Sequence, residues 1–166
     1  MWLLQASEFE AVCKGEGAPE VFVHDHADGI FLNSPTANSF GLRYLQEEGF
    51  KWFEAKSIYK RDGWVRYELS PEGKIKTTDI PALTAQFEVR EVSSQPLSHT
   101  HLSETEVVDR ATGQIIAKAG SAVFDGGWAS AVLGGWGLRT CPSAMTDSAG
   151  FRNYYHLTKD ALRQAR

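Results

Sequence analysis

The chain lacks any long apolar run. No stretch of about 18 consecutive apolar residues occurs, so the sequence predicts no transmembrane helix. Its first residues, Met1 to Gln5, have neither the basic start nor the apolar length of a signal peptide. We therefore expect a cytoplasmic protein, or a periplasmic or secreted one if a leader is removed.

A concentrated positive charge is missing as well. The 166 residues include 17 Lys and Arg against 21 Asp and Glu, a formal net charge of −4. Because phosphate recognition requires a cationic face, we expect no nucleic-acid partner, and we expect no membrane partner either. Residues 1–33 carry six acids against one lysine, whereas residues 139–166 carry five basic residues against two acids. We expect the basic C-terminal segment to pair with the acidic N-terminal one.

Cysteine is scarce, with Cys13 and Cys141 far apart in the sequence. Two distant cysteines in a chain of this size are more often buried free thiols than a disulfide, unless the compartment is oxidising. We therefore expect free thiols and leave their pairing open. Cys141, which precedes Pro142, is the one candidate for a cysteine nucleophile, and a buried thiol is the favoured interpretation.

Turn chemistry supplies the strongest fold signal. Residues 109–113, Asp-Arg-Ala-Thr-Gly, end in a glycine that accepts positive φ, and β-branched pairs flank them at 107–108 and 115–116. This pattern predicts a β-hairpin. Adjacent apolar residues on both arms indicate strands that are covered on both faces near the turn, so we expect the hairpin to lie centrally in a sheet.

Shorter signals predict the remaining elements. Ser34 before Pro35 predicts the start of the main helix, over 35–48, and Ser7 and Glu10 have the capping-box spacing of a short helix over 8–14. A last short helix is predicted over 158–164 and a loop over 95–98. Further strands are predicted over 21–24 and 30–32, as a small hairpin, and over 50–59, 64–69, 75–78 and 83–92, as a meander.

These elements predict an α+β fold in one domain spanning residues 1–166. The expected architecture is a curved antiparallel sheet of about six to eight strands, packed by the helix at 35–48 and by short terminal helices. The composition supports this, because 42% hydrophobic and 23% charged residues suffice for one sizeable core.

The C-terminal half carries a resemblance. Its features are the hairpin at 107–117, then Phe124 and Trp128, then Cys141-Pro142 and Arg152. Over residues 85–155 the chain resembles a group of small uncharacterised bacterial β-rich proteins. The resemblance implies a mixed α and β, antiparallel architecture and a bacterial origin. It transfers no catalytic residue.

Two His-x-His pairs are the main chemical motif. Residues i and i+2 of a strand face the same way, so His24 with His26, and His99 with His101, could each present two imidazoles to one ion. If the pairs met, they would form a site for zinc or another imidazole-liganded metal. Solvated or locally hydrogen-bonded histidines are the favoured alternative, so no cofactor is expected.

Trp and Gly are concentrated near residues 126–137, and Trp128 and Trp136 are candidate partner-binding residues. Packing in the core is their alternative role. The acidic residues Glu47, Glu48 and Glu54 show no spacing that singles out an acid and a base, and we expect them on solvated faces.

No motif specific to a reaction occurs, so the leading hypothesis is a non-enzymatic protein-interaction protein of bacterial or mobile-element origin, such as an inhibitor. A small metal-dependent or histidine-based enzyme is the alternative, and a ligand-carrying barrel is a third. The sequence leaves open whether the chain is an enzyme, and its partner and oligomeric state.

Overall fold

The structure is a computed structural model, which describes residues 2–34, 37–127, 132, 138–143 and 146–163. The α+β class is confirmed, because short helices accompany a mixed sheet, but the sheet has nine strands where six to eight were expected. The helices are α1 (Trp2–Lys14), α2 (Ala37–Phe40), α3 (Leu42–Gln46), α4 (Ser148–Tyr155) and α5 (Leu157–Leu162). The strands are β1 (Glu20–Val21), β2 (Gly29–Asn33), β3 (Trp52–Lys56), β4 (Trp64–Leu69), β5 (Ile75–Ile80), β6 (Phe87–Leu97), β7 (Thr100–Asp109), β8 (Ile115–Phe124) and β9 (Arg139–Cys141).

The chain divides into two compact units, each assembled from separate segments. Unit 1 comprises residues 1–20, 92–105 and 118–157, and unit 2 comprises residues 21–91, 106–117 and 158–166. The long strands β6, β7 and β8 contribute residues to both units. That the whole chain folds as one domain stays a prediction.

In unit 2 the hydrogen-bonded strand order is β8–β7–β6–β2–β3–β4–β5. Strand β2 is parallel to both of its neighbours, with Phe31 opposite Glu54 of β3 and Glu88 of β6. Strands β3, β4 and β5 form the first three strands of the predicted antiparallel meander, but the fourth, predicted over 83–92, is β6, which pairs with β2 and not with β5. The prediction of a purely antiparallel sheet is therefore wrong at its centre. Consecutive buried residues in β2 fit a strand that is covered on both faces.

The small hairpin predicted from 21–24 and 30–32 is also wrong. Phe22 donates its backbone N–H to Ile116 of β8, and the chain then follows the end of α5, where Asp25 donates to Ala161. These bonds occupy the backbone that a hairpin would have paired with β2. The Asp28-Gly29 corner therefore leads into a parallel strand.

The main helix predicted over 35–48 is replaced by two short helices. Helix α2 ends at Phe40 and α3 begins at Leu42, with a turn at Gly41 between them. A Cβ atom at Gly41 would lie 2.5 Å from Cζ of Phe53, a fully buried residue of β3. Glycine therefore permits the close approach of this turn to the sheet.

The connection between β5 and β6, residues 81–86, crosses one face of the sheet, and we call it the crossing segment. It must pass over other strands because β4, β3 and β2 lie between β5 and β6 in the sheet. Thr84 and Ala85 of this segment donate hydrogen bonds to Glu54 of β3. The carboxylate thus fastens the crossing segment to the strand beneath it.

Unit 1 is built around the contact between α1 and the ends of β7 and β8. Phe9 and Val12 of α1 pack against Leu102, Ala122 and Phe124, and the Phe9 and Phe124 rings are 5.9 Å apart. Strand β9 pairs with β8 over three residues. The loop predicted over 95–98 is wrong for most of its length, because β6 continues to Leu97 and the turn falls at 98–99.

The hairpin predicted around residues 109–113 is confirmed. Neighbouring strands β7 and β8 flank it, Asp109 donates its N–H to Gln114, and Gly113 has a φ of 73°. The terminal helices are confirmed as well, although α1 is longer than 8–14 and α5 ends before 164. Helix α4 was not predicted, although the Asp147 side chain caps it by accepting from the N–H of Gly150.

Candidate functional site

The first histidine pair lies in an irregular segment of unit 2. The backbone oxygen of Asp160 is 3.1 Å from Nδ1 of His24. Nε2 of His26 is 3.7 Å from the carboxylate of Asp28, which also contacts Lys51 at 3.1 Å and Arg163 at 3.5 Å. Lys51, His26 and Arg163 together lower the pKa of Asp28. The expected pairing of C-terminal basic residues with N-terminal acids is confirmed here and in unit 1, where Arg139 lies 3.6 Å from Glu10.

The second pair belongs to unit 1. Nδ1 of His99 is 2.9 Å from the carboxylate of Asp125, which also accepts a hydrogen bond from the N–H of Gly127. His101 is exposed on β7. Among the described residues, no group of three or more His, Cys, Asp or Glu side chains is arranged to hold a metal ion. The four-histidine metal site and the enzyme based on it stay predictions, which elemental analysis of protein purified without chelator can test.

The cysteines are joined. Cys13 and Cys141 form a disulfide within unit 1, so the expectation of two free thiols is wrong, and the bonded Cys141 is no nucleophile. The error arises because sequence spacing says nothing about two cysteines that the fold brings together across 128 positions. The candidate partner residues Trp128 and Trp136 lie outside the described residues.

Two glutamates that were expected on solvated faces are buried in unit 2. The exposed fraction is 2% for Glu48 and 0% for Glu54. Burial raises the pKa of Glu48 to about 7, although the Arg43 guanidinium donates to its carboxylate. Burial also acts to raise the pKa of Glu54, but hydrogen bonds from Thr84, Arg66 and Ala85 outweigh it and lower that pKa. Both carboxylates are part of the packing of unit 2.

The loop that joins β3 to β4, residues 57–63, carries two adjacent large side chains that are exposed, and we call it the hairpin tip. The exposed fraction is 92% for Tyr59 and 63% for Ile58. Both residues were predicted to lie in a strand over 50–59, whereas β3 ends at Lys56. The predicted strands 50–59 and 64–69 left only residues 60–63 for the turn, so the length of the tip was missed.

Hydrogen bonds hold the hairpin tip in one conformation. The hydroxyl oxygen of Ser57 accepts from the backbone N–H groups of Tyr59 and Lys60, both at 3.2 Å. Ser57 donates its own N–H to Gly63 across the base of the loop at 2.8 Å. Lys60 forms an ion pair with Asp79 of β5. The Ser57 hydrogen bonds therefore order the tip, while the side chains of Ile58 and Tyr59 stay in solvent.

No helix in the described part of the chain has the length and apolar character needed to cross a membrane. Comparison of the chain with family models, curated proteins and solved structures finds no match.

Proposed function

We propose that this chain is a non-enzymatic binding protein that recognises another protein through the hairpin tip. The observation that carries this proposal is the exposure of Tyr59 and Ile58, two adjacent large side chains on a fixed loop. Exposed Tyr side chains supply large contact area with little conformational freedom, and Tyr is enriched among the residues that dominate binding energy.

Order in the free protein favours this use of the tip. Association loses less conformational entropy when the binding loop already has its bound shape. The hydrogen bonds of Ser57 provide that order in unit 2. An ordered loop with an exposed aromatic side chain is also suited to entering a cleft, so we include an inhibitor of a bacterial or mobile-element-encoded partner in the proposal.

We also propose that the protein occupies an oxidising compartment. A disulfide persists in oxidising compartments and is reduced in the cytosol. The Cys13 to Cys141 bond therefore favours a periplasmic or secreted protein over the cytoplasmic one that the sequence analysis expected first. A test is to trap thiols in intact producing cells with a membrane-permeant maleimide, which leaves an oxidised pair unlabelled.

Site-specific photocrosslinking tests the proposed contact. Tyr59 is replaced by benzoylphenylalanine, which keeps an aromatic ring at the tip, and the exposed Lys74 of the β4 to β5 turn receives the same group as a matched control. We expect a discrete crosslinked product in cells from position 59 and none from position 74. Adding Ile58→Asp to the position-59 protein is expected to abolish the product without changing the melting temperature, because this side chain is mostly exposed.

The same product from both positions, or none from position 59, would contradict the proposal. Once the partner is identified by mass spectrometry, Tyr59→Ala is expected to weaken binding by about 30-fold, the effect of a residue that contributes roughly 2 kcal/mol.

A further inference from the structure

The disulfide of unit 1 lies in the wall of an open groove. Cys13 is in the last turn of α1, and Cys141 is the last residue of β9. Both residues are partly exposed, and both line a groove of about 740 Å³. We propose that this disulfide is an exchange site for an external dithiol oxidoreductase, and that its reduction releases β9 from α1.

Access supports attack at this bond. Thiol–disulfide exchange requires a thiolate to reach one sulfur, and both cysteines are partly exposed where they line the groove. The groove lining carries both signs of charge, with the cations Lys14 and Arg139 and the carboxylates of Glu10 and Asp147.

The exchange balances with the dithiol as the only reductant. One thiolate of the dithiol attacks the first protein sulfur and forms a mixed disulfide with it. The protein S–S bond breaks, and the second protein sulfur leaves as a thiolate. The second thiolate of the dithiol then attacks the dithiol sulfur of the mixed disulfide and releases the first protein sulfur as a thiolate. Two electrons pass to the protein, both its sulfurs take up a proton, and the dithiol becomes a disulfide.

Helix α1 has attachments that reduction leaves intact. Phe9 and Val12 belong to the buried cluster of unit 1. After the helix, Gly17 accepts a hydrogen bond from the N–H of Gly120 in β8 at 2.9 Å. The two backbones approach so closely that a Cβ atom at Gly120 would lie 2.7 Å from Cα of Gly17. We therefore expect α1 to stay in place when the disulfide opens.

Strand β9 has a short backbone attachment, and Cys141 at its end packs against the buried cluster of unit 1. It has three residues, Arg139 to Cys141, and it pairs with β8 in a register of the same length. Its ion pair to α1 joins Arg139 and Glu10, which are 41% and 58% exposed, and an exposed pair of this kind contributes little. Reduction therefore removes the covalent part of the attachment of β9 to α1, and we expect the strand to open locally.

The first experiment measures native reduction of the full-length oxidised protein by dithiothreitol at neutral pH, with a maleimide gel shift as the readout. We expect a rate that doubles when the dithiothreitol concentration doubles, well below any denaturing condition. A rate that is independent of dithiothreitol and equal to the unfolding rate would overturn the proposal, because the bond would then react only in unfolded molecules.

The second experiment compares amide hydrogen exchange in the oxidised and reduced protein. We expect reduction to speed exchange at residues 139–141 by at least about tenfold, while the amide of Gly120 is unchanged and serves as the internal control. The Cys13→Ser and Cys141→Ser double variant is expected to match the reduced protein. Unchanged exchange in β9, or equal acceleration at Gly120, would overturn the release of β9 as the consequence of reduction.

Discussion

Glu48 and Glu54 are two buried carboxylates of the same unit, each beside an arginine, yet their pKa values move in opposite directions. At Glu48 burial dominates and raises the pKa to about 7. At Glu54 hydrogen bonds from Arg66 and from the crossing segment outweigh burial and lower the pKa. Burial alone therefore does not decide the charge of a carboxyl group. The donors that the fold brings to it decide whether it stays ionised.

The comparison also separates two structural roles. Glu54 stays charged and fastens the crossing segment to the sheet through Thr84 and Ala85. Glu48 can lose its charge near neutral pH, which allows it to remain buried if its arginine is removed. The two sites should therefore respond differently to the same substitution.

The largest expected difference follows from removing each arginine. Arg66→Met leaves an ionised Glu54 without its cation, and breaking a buried pair in this way costs about 3 to 5 kcal/mol of unfolding free energy. Arg43→Met should cost less, about 1 to 2 kcal/mol, because Glu48 takes up a proton instead. Each arginine also stacks on an aromatic ring at 4.3 Å, so both substitutions remove one such contact. Urea denaturation at pH 7 measures the unfolding free energy of both variants. An equal or larger loss of unfolding free energy for Arg43→Met than for Arg66→Met would contradict the difference between the two glutamates.

The second prediction concerns pH. The folded-state pKa of Glu48 lies above its ordinary value of 4.5, so the folded protein binds more protons between pH 4.5 and about 7. The contribution of Glu48 to stability is present below pH 4.5 and is lost as pH rises through about 7, a change on the order of 3 kcal/mol. We expect Glu48→Gln to remove this decline in unfolding free energy when urea denaturation is measured at a series of pH values.

Glu54→Gln is the matched control for that series. Because the pKa of Glu54 is lowered, its stabilising contribution is present above pH 4.5 and is lost as pH falls. The variant should therefore be less stable than the wild-type chain at neutral pH and approach it in acid. If the two glutamine variants gave parallel profiles of unfolding free energy against pH, the pKa values of the two carboxylates would not differ in the way described.

A smaller effect than that of Arg66→Met is expected for Thr84→Val, which removes a donor to Glu54 and an acceptor of Arg66 without changing side-chain shape. A hydrogen bond to a charged group contributes about 1.5 kcal/mol or more, so we expect a loss of about that size. Thr84→Ser keeps the hydroxyl and should retain most of the stability. A loss in the serine variant as large as in the valine variant would assign the effect to packing of the methyl group.

Local signals predicted the local parts of this fold. The β7–β8 hairpin was predicted because its turn residues and both arms lie within residues 107–116. The meander of β3, β4 and β5 was predicted for the same reason. The parallel neighbours of β2 were missed, because β3 begins about 20 residues later and β6 more than 50 residues later. No pattern within a short window specifies such pairings.

The sites were predicted less well. The histidine pairs were found by spacing, but spacing does not reveal the carboxylates and carbonyls beside them. Glu54 sits between apolar residues of β3, in Trp-Phe-Glu-Ala-Lys, and this setting was an available signal for a buried acid. The donors to Glu54 come from residues 84 and 85, which no rule of sequence periodicity connects to position 54.

The parallel pairing of β2 has a consequence for synthesis of the chain on the ribosome. Four of the five residues of β2 are buried in the folded protein, including Ile30, Phe31 and Leu32. One of its flanking strands, β6, emerges only after residue 90 has been translated. Throughout that interval the nascent chain presents this apolar segment without one of its partners, and exposed apolar segments of this kind promote aggregation.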